Sequence, residues 1–249
     1  MKRSPKAPKR HQSTGDNQWI YGKHATRAIL ENPRRVIKRI LVSRNNYNEM
    51  PQLANLSVEI VENRVIEALL PPNSVHQGIA IQAEPLADAS IEDFCVNVKE
   101  DERHIVILLD QVTDPHNVGA VIRSAAAFGA SAVITTSNNS AQESGTLAKS
   151  ASGAMELVPF IRVTNLVSAI EALKDAGFWI LGLDGYATDL ISNAPRYAKT
   201  ALIMGSEEKG LRRLTREHCD LLVKLPISPK VESLNVSNAA AISLYALSL

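Results

Sequence analysis

The sequence has few of the residues on which several common kinds of site depend. Its two cysteines, Cys95 and Cys219, lie far apart and fit no metal-binding spacing, and its six histidines show no paired ligand spacing. We therefore predict no metal site, and two reduced thiols of an intracellular protein. Aromatic residues make up only 4% of the chain, so stacking of bases on aromatic side chains is not an obvious means of recognition.

Long apolar segments are also missing. No apolar run approaches the ~18 residues that a membrane-spanning helix needs, and no apolar stretch follows the basic N-terminus as it would in a secretory signal. None of the predicted strands is followed by G-x-G-x-x-G, which disfavours an NAD-dependent dinucleotide-binding enzyme. These absences predict a cytoplasmic protein that does not contact a membrane.

The net charge of +1 conceals an uneven distribution. The first ten residues contain five basic side chains and no acid, so the remaining chain holds 22 basic and 26 acidic side chains. A second basic cluster, opposed only by Glu31, contains Lys23, Arg27, Arg34, Arg35, Lys38, Arg39 and Arg44. Clustered cations suit contacts with phosphate, so this cluster is a candidate nucleic-acid surface, with a solvated basic face as the alternative.

The pattern of apolar residues divides the chain into four parts. Residues 1–18 predict a mobile basic tail, and residues 19–85 a small α/β unit. Its predicted strands are Ile37–Val42, Val58–Val61 and Gly78–Gln82, with helices near His24–Leu30 and Arg64–Leu70. Residues 86–103 are polar and acidic without clear periodicity, which is typical of a linker.

Residues 104–249 predict a larger α/β unit. Strands alternate with helices, which favours a mostly parallel sheet covered by helices on both faces. The predicted strands are Ile105–Asp110, Ala132–Thr135, Val158–Val163, Trp179–Leu183, Thr200–Met204 and Leu221–Lys224, and the last helix spans about Asn238 to Ser248. Ser237 and Asn238 are candidates to cap that helix.

The most informative segment follows the first of these strands. A polar turn leads into a helix with the pattern N-x-G-x-x-x-R-x-x-x-x-F-G, which begins at Asn117 and contains Arg123. Only small residues lie one turn from Arg123, so its guanidinium is free to reach a ligand. A core helix carrying one solvated arginine is the alternative for this segment taken alone.

Two later segments contain further patterns of this kind. G-x-E-x-x-G-L runs from Gly205 to Leu211, and L-P-I at Leu225–Ile227 is followed by S-L-N-V-S at Ser233–Ser237. In this order, the three patterns resemble the motifs of the SpoU-type RNA ribose 2′-O-methyltransferases of the SPOUT superfamily. The resemblance covers roughly residues 105–249 and extends more weakly over residues 19–85, which resemble the substrate-binding domain of the ribosomal RNA subgroup.

The resemblance implies a fold and an activity. It implies a trefoil knot near the C-terminus, which ordinary rules of chain connection would exclude, and a small L30e-like domain ahead of it. It also implies a homodimer that uses S-adenosyl-L-methionine to methylate a ribose 2′-oxygen, with guanosine in 23S ribosomal RNA as the expected target. The basic residues Lys23, Arg27, Arg34, Arg35, Lys38 and Arg39 would then bind RNA.

The same resemblance implies roles for individual residues. Asn117, Arg123, Glu207, Ser233 and Asn235 form the expected catalytic set, and Gly205, Leu225, Ile227, Leu234 and Asn235 the expected cofactor site. Since a guanidinium rarely loses its proton, we expect Arg123 to hold a phosphate and stabilise alkoxide charge rather than act as a base. Asn117 is expected to tie loops together, and Glu207 to accept hydrogen bonds from the pocket.

The sequence departs from the family pattern at one place, and it leaves one alternative substrate and one alternative function. Where the family commonly has glycine, this chain reads Ser228-Pro229-Lys230-Val231-Glu232, so the loop geometry there is not implied by the resemblance. Transfer RNA is the alternative substrate. A non-catalytic RNA-binding factor for ribosome assembly is the alternative function.

Overall fold

A computed structural model of the chain describes residues 18–86, 89–137 and 145–249, which form two α/β units in succession. The tail predicted for residues 1–18 lies outside the described residues up to position 17. Gln18 already belongs to the first strand.

The first unit is a four-stranded mixed sheet with three helices. Its elements are β1 (Gln18–Tyr21), α1 (Lys23–Glu31), β2 (Ile37–Val42), α2 (Arg44–Glu49), β3 (Glu59–Ile60), α3 (Asn63–Leu69) and β4 (Ile79–Ala83). The strand order is β1-β4-β2-β3, with β4 antiparallel to both neighbours. The sequence did not predict β1 or α2, because one is four residues long and the other has no apolar stripe.

The second unit is a seven-stranded sheet in the order β7-β6-β5-β10-β8-β11-β9, and every pair is parallel. The strands are β5 (His104–Asp110), β6 (Ala132–Thr136), β7 (Phe160–Val163), β8 (Trp179–Leu183), β9 (Asp189–Leu190), β10 (Lys199–Gly205) and β11 (Leu221–Lys224). The helices are α4 (Ile91–Asn97), α5 (Pro115–Ala127), α6 (Gly145–Ala151), α7 (Leu166–Asp175), α8 (Arg213–Glu217) and α9 (Val236–Ser248).

Helices cover both faces of this sheet, as predicted. Alternate side chains of the central strands enter two separate cores: Ile107 and Leu109 pack with α5, α6 and α9, whereas Val106 and Leu108 pack with α4 and α7. Burial on both faces explains why β5 reads as a continuous apolar run. The sequence prediction of a parallel α/β sheet is confirmed.

The segment 86–103, predicted as a linker, contains α4. Ser90 caps this helix by accepting from the backbone N–H of Asp93 at 2.9 Å. Ile91 is buried, and the ring of Phe94 lies 6.3 Å from that of Phe178. The segment therefore packs on the second sheet. The sequence missed it because seven residues are too few to show a helical period.

The register of β11 requires an unusual chain crossing. Val223 of β11 lies opposite Leu183 of β8 on one side and opposite Asp189 of β9 on the other. The five residues that join β8 to β9 must therefore cross β11 or its continuation. The β8–β9 connection therefore passes across a strand formed by later residues.

The two units share one buried core. Ile20 and Ile29 of the first unit belong to the same apolar cluster as Leu147 and Ala151 of the second. The first unit is thus packed on the second, with α6 between its sheet and α5. Across the described ranges, no helix has both the length and the apolar character needed to cross a membrane.

Candidate active site

The first motif opens α5 at the carboxyl edge of the large sheet. Asp114 caps the helix, with its carboxylate accepting from the backbone N–H groups of His116 at 3.1 Å and Asn117 at 3.4 Å. Pro115 occupies the first turn, where its missing N–H costs nothing. This cap fixes Asn117 just beyond the end of β5.

The side chains of Asn117, Glu207 and Asn235, one from each motif, form a cluster that we call the amide clasp. Glu207 Oε1 accepts from Asn117 Nδ2 at 3.1 Å and from Asn235 Nδ2 at 2.8 Å. Asn235 Nδ2 also donates to Asn117 Oδ1 at 3.0 Å, and the backbone N–H of Val236 donates to Glu207 Oε1 at 3.3 Å. Hydrogen bonds to a carboxylate are stronger than neutral ones. The clasp therefore holds three distant parts of the chain together.

Asn235 also starts the last helix. Its Oδ1 accepts from the backbone N–H of Ser237 at 3.0 Å and from Ser237 Oγ at 2.6 Å. The prediction that Ser237 and Asn238 cap this helix is wrong, because α9 begins at Val236 with Asn235 as its N-cap. One amide side chain thus joins the helix start to the clasp.

Gly205 is required by its own turn. A Cβ at Gly205 would lie 2.1 Å from the carbonyl carbon of Gly210. The backbone N–H of Gly210 donates to the Ser206 carbonyl at 2.8 Å, and Gly210 has φ +63°. The lack of a Cβ at Gly205 therefore allows the close approach of Gly210 that closes the turn.

The sequence analysis missed an ion pair at the end of β5 in which the carboxylate is buried and the arginine is partly exposed. Asp110 is fully buried and accepts from Arg212, through Nε at 2.6 Å and the backbone N–H at 3.1 Å. This pair anchors the chain just after the Gly205–Leu211 turn. A carboxylate that ends an otherwise apolar strand was the available signal, since a buried charge needs a partner. Arg216 pairs with Asp184 at the end of β8 in a similar way.

The third motif supplies apolar side chains to the same edge of the sheet. β8 separates β10 from β11, so Gly205 and Leu225 follow strands about 10 Å apart. Leu225 and Leu234 pack partly against the core, whereas Ile227 is 38% exposed. These side chains leave apolar surface that can contact a flat ligand.

Pro229 fits the loop that follows. The backbone N–H of Val231 donates to the Ser228 carbonyl at 3.0 Å, which closes a turn with Pro229 at its second position. Proline is favoured there because its fixed φ matches the turn. Among the described residues, those with positive φ do not include positions 228–232. This turn therefore does not need glycine.

Arg123 and Ser233 lie outside the amide clasp. Both are exposed, and the Arg123 side chain has no hydrogen bond or ion pair with any part of the chain that the structure describes. Nearby, Gly119 packs against Ser150 of α6, where a Cβ would come within 2.4 Å of Ser150 Cβ. The guanidinium on α5 is thus available to a ligand.

The structure corrects the predicted RNA-binding set at Arg35. This residue is buried, and its guanidinium pairs with Glu156, so it cannot contact RNA in this conformation. Lys23 and Lys38 are more exposed, and they pair with Glu49 at 2.7 Å and with Glu84 at 2.6 Å. A cluster of basic residues in the sequence therefore does not show that every side chain in it is exposed.

Arg39, Arg27 and Arg34 remain at the surface. Arg39 forms a two-point pair with Glu59, through Nε at 2.8 Å and Nη2 at 2.9 Å. The hydrogen bond from Arg39 lowers the pKa of the Glu59 carboxyl, and the same bond raises the pKa of Arg39. Arg27 and Arg34 are exposed, and neither side chain is paired within the described residues. Within the described residues, these two are the exposed cations of the predicted set that have no acidic partner.

Comparisons with known proteins agree with both units. The SpoU rRNA Methylase family profile matches residues 104–245, and the profile for RNA 2′-O ribose methyltransferase substrate binding matches residues 19–89. The chain is 39% identical over 236 residues to the 23S rRNA (guanosine-2′-O-)-methyltransferase RlmB of Vibrio vulnificus, covering 92% of this chain and 95% of that protein. It is 37% identical over 235 residues to the enzyme of the same name from Escherichia coli, covering 92% and 97%.

Solved structures share the fold. The SpoU methyltransferase AviRb from Streptomyces viridochromogenes superposes with a TM-score of 0.78 at 21% identity, covering 94% of this chain and 89% of that one. The AdoMet-bound rRNA methyltransferase from Sinorhizobium meliloti gives a TM-score of 0.78 at 20% identity, covering 93% and 87%.

Proposed function

The chain belongs to the SpoU rRNA methylase family, and we propose that it methylates the ribose 2′-oxygen of a guanosine in 23S ribosomal RNA, using S-adenosyl-L-methionine. The observation that carries the proposal is the amide clasp. It places one residue from each of the three motifs within hydrogen-bond distance at a single edge of the sheet.

The apolar side chains near β11 fit the methyl donor. Leu225, Ile227 and Leu234 offer a half-buried slot for an adenine ring, and the loop backbones beside it can bond the ring edges. When bound, S-adenosyl-L-methionine supplies an already activated methyl group, so the protein needs mainly to orient the reactants. Gly205 contributes by closing the turn that carries Glu207.

The chain's own residues divide the remaining work. The clasp fixes the loops on which the donor slot depends, which makes Asn117, Glu207 and Asn235 positioning groups in our proposal. Arg123 binds the phosphate next to the target ribose and stabilises negative charge on the 2′-oxygen. Ser233 is exposed on the third motif and has a hydroxyl suited to the acceptor ribose. The scheme requires no metal ion.

We assign residues 19–85 to an RNA substrate-binding domain of L30e-like fold, residues 86–103 to a connection, and residues 104–249 to the methyltransferase domain. Arg27 and Arg34 on the first domain would contact RNA phosphates, with the basic segment 1–18 adding charge. The crossing of β11 by the β8–β9 loop supports a trefoil knot in the second domain. A ribosomal RNA substrate implies a cytoplasmic enzyme.

We also propose that the enzyme is a homodimer. The exposed apolar side chains of α9 and the C-terminus support this: Ile242 is 46% exposed, Tyr245 55% and Leu249 60%. Tyr245 packs edge-on against Phe128 of the segment after α5, with ring centroids 6.0 Å apart. A face built from α9 and the end of α5 would bury this surface against a second copy.

Ribosomal RNA is favoured over transfer RNA because the relatives matched over 92% of the chain carry the 23S rRNA name. A solved structure of a protein for 2-OH methylation of C/U34 on tRNA matches only 58% of this chain, with a TM-score of 0.54. The test is methyl incorporation from labelled S-adenosyl-L-methionine into 23S ribosomal RNA that lacks the modification, with transfer RNA in parallel. Donor binding without incorporation into either RNA would favour the non-catalytic assembly factor.

A further inference from the structure

The two units meet at a buried ion pair. The Arg35 guanidinium of the first unit binds Glu156 of the second, with Nη2 2.8 Å and Nε 3.0 Å from Oε1. Their side chains are only 1% and 4% exposed. Asn32 Nδ2 adds a hydrogen bond to Glu156 Oε2 at 2.5 Å. The carboxylate thus receives both a forked arginine and an amide from the first unit.

Stability alone does not explain such a pair. Removing two charges from water is costly, and well-packed apolar residues in their place are often neutral or stabilising. A forked arginine differs from an apolar contact in having one preferred geometry. Arg35 also donates through Nη1 to the Glu84 carbonyl at 2.8 Å, where the chain leaves the first sheet. Arg35 therefore holds the contact between the two units and also the segment by which the chain leaves the first sheet.

A second contact lies close to the first. Gly153, with φ +89°, lies against α1, and a Cβ at this position would be 2.5 Å from Ala28 Cβ. It would also lie 3.2 Å from the His24 carbonyl oxygen. Two small residues thus bring α1 directly onto the backbone between α6 and the short 3-10 helix Ala154–Glu156. Close packing and a directional ion pair together restrict rotation of one unit on the other.

The contact leads directly to α5. Ser150 and Ala151 at the end of α6 touch Gly119, where a Cβ would be 2.4 Å from Ser150 Cβ and 2.9 Å from the Ala151 nitrogen. Four residues further along α5 is Arg123. A single closely packed helix therefore separates the first unit from the helix that carries the proposed catalytic arginine.

We propose that Asn32, Arg35 and Glu156 are positioning residues, which hold the substrate-binding unit in one orientation so that RNA bound to it reaches α5 correctly. This inference rests on the proposed function and adds a role for groups that the chemistry does not use. Misplacement of a substrate by about 1 Å can lower a rate about a hundredfold. Loosening the contact should therefore weaken productive RNA binding without changing the donor slot.

The decisive variant is the double replacement Arg35→Leu/Glu156→Leu, compared with Glu156→Leu alone. The single variant leaves Arg35 charged and buried, and should melt at a lower temperature than the parent. The double variant should recover the parent melting temperature, because no unpaired charge remains. We expect its KM for a 23S ribosomal RNA fragment to stay raised by about tenfold, with an unchanged Kd for S-adenosyl-L-methionine and a larger radius of gyration in small-angle scattering.

Two further variants complete the test. Ile66→Val removes a buried methylene from the first unit's own core and controls for lower stability; it should leave the KM for RNA unchanged. Asn32→Ala removes the amide bond to Glu156 and the bond that Asn32 Oδ1 accepts from the backbone N–H of Arg34 at 3.0 Å. It leaves the Arg35–Glu156 pair in place, so it remains informative if the double variant fails to fold. It should raise the same KM in the same direction, by a smaller factor.

The outcomes separate the two proposals. A stable double variant, or the Asn32→Ala variant, with parent KM and parent scattering would overturn the positioning role. If the parent transfers no methyl group to ribosomal RNA, the proposed function fails instead. The scattering comparison between parent and double variant then still decides whether the ion pair fixes the two units.

Discussion

Replacing Glu207 by alanine removes one acceptor oxygen on which three donors converge. Each hydrogen bond to a charged group contributes roughly 1.5–3 kcal/mol when shielded, but Glu207 is exposed, so we take about 1 kcal/mol each. Loss of the bonds from Asn117, Asn235 and Val236 should therefore destabilise the fold by about 2–3 kcal/mol. Asn235→Ala should cost a similar amount, because it also removes the cap of α9.

The two replacements share a hydrogen bond, so their effects should not add. The double variant Glu207→Ala/Asn235→Ala should be less destabilised than the sum of the singles by about 1 kcal/mol. Urea unfolding followed by circular dichroism measures this coupling, and calorimetric titration with S-adenosyl-L-methionine measures its effect on the donor slot. Glu208→Ala is the matched control, because its exposed carboxylate has no hydrogen bond within the described residues, and it should stay within ~0.5 kcal/mol of the parent.

Strict additivity, or a Glu207→Ala variant that behaves like Glu208→Ala, would contradict the role of the amide clasp. The first result would mean that the bond of 2.8 Å between Asn235 and Glu207 does not form in solution. The second would mean that the carboxylate does not organise the three motifs at all.

Three further predictions concern single residues. Gly205→Ala places a Cβ 2.1 Å from Gly210 and should weaken donor binding by about tenfold in calorimetry, whereas Gly185→Ala, with open space around it, should have no effect. Arg123→Ala should lower the methyl-transfer rate about a hundredfold at unchanged donor affinity. Arg123→Lys should recover little of this rate, because lysine lacks the two-point donor geometry of the guanidinium. Full activity of the lysine variant would contradict the proposal that Arg123 holds a phosphate. Burial raises the pKa of the Cys219 thiol to about 12, so the stability that the neutral thiol contributes is fully present below the unfolded pKa and should be lost as the pH rises from about 9 towards 12. Between pH 7 and pH 10, the urea midpoint of the parent should therefore fall more than that of Cys219→Ala. Equal falls in the two midpoints would contradict this prediction.

Much of the larger unit could be predicted from the sequence. The central strands β5 and β10 are buried on both faces, so they appear as apolar runs in the sequence. The predicted bounds of Trp179–Leu183 and Leu221–Lys224 are those that the structure gives. The family of the chain could likewise be recognised from residues alone, because the motifs at Asn117, Gly205 and Ser233 keep their spacing and order.

Other features could not be predicted from the local pattern of residues in the sequence. The burial of Arg35 depends on Glu156, which is far along the chain, so the run of basic residues does not indicate it. Position 205 requires glycine because the backbone of Gly210 lies against it, and this contact exists only in the folded turn. The crossing of β11 by an earlier loop is a property of the whole sheet order, and strand periodicity carries no information about it.

The proposed activity is tested most directly by mapping ribose 2′-O-methylation across 23S ribosomal RNA from cells with and without the protein. We expect one guanosine to lose its ribose methyl group in the absence of the protein, to regain it with the parent chain, and not to regain it with Arg123→Ala. An unchanged methylation map in cells that lack the protein would contradict the proposed methylation of 23S ribosomal RNA.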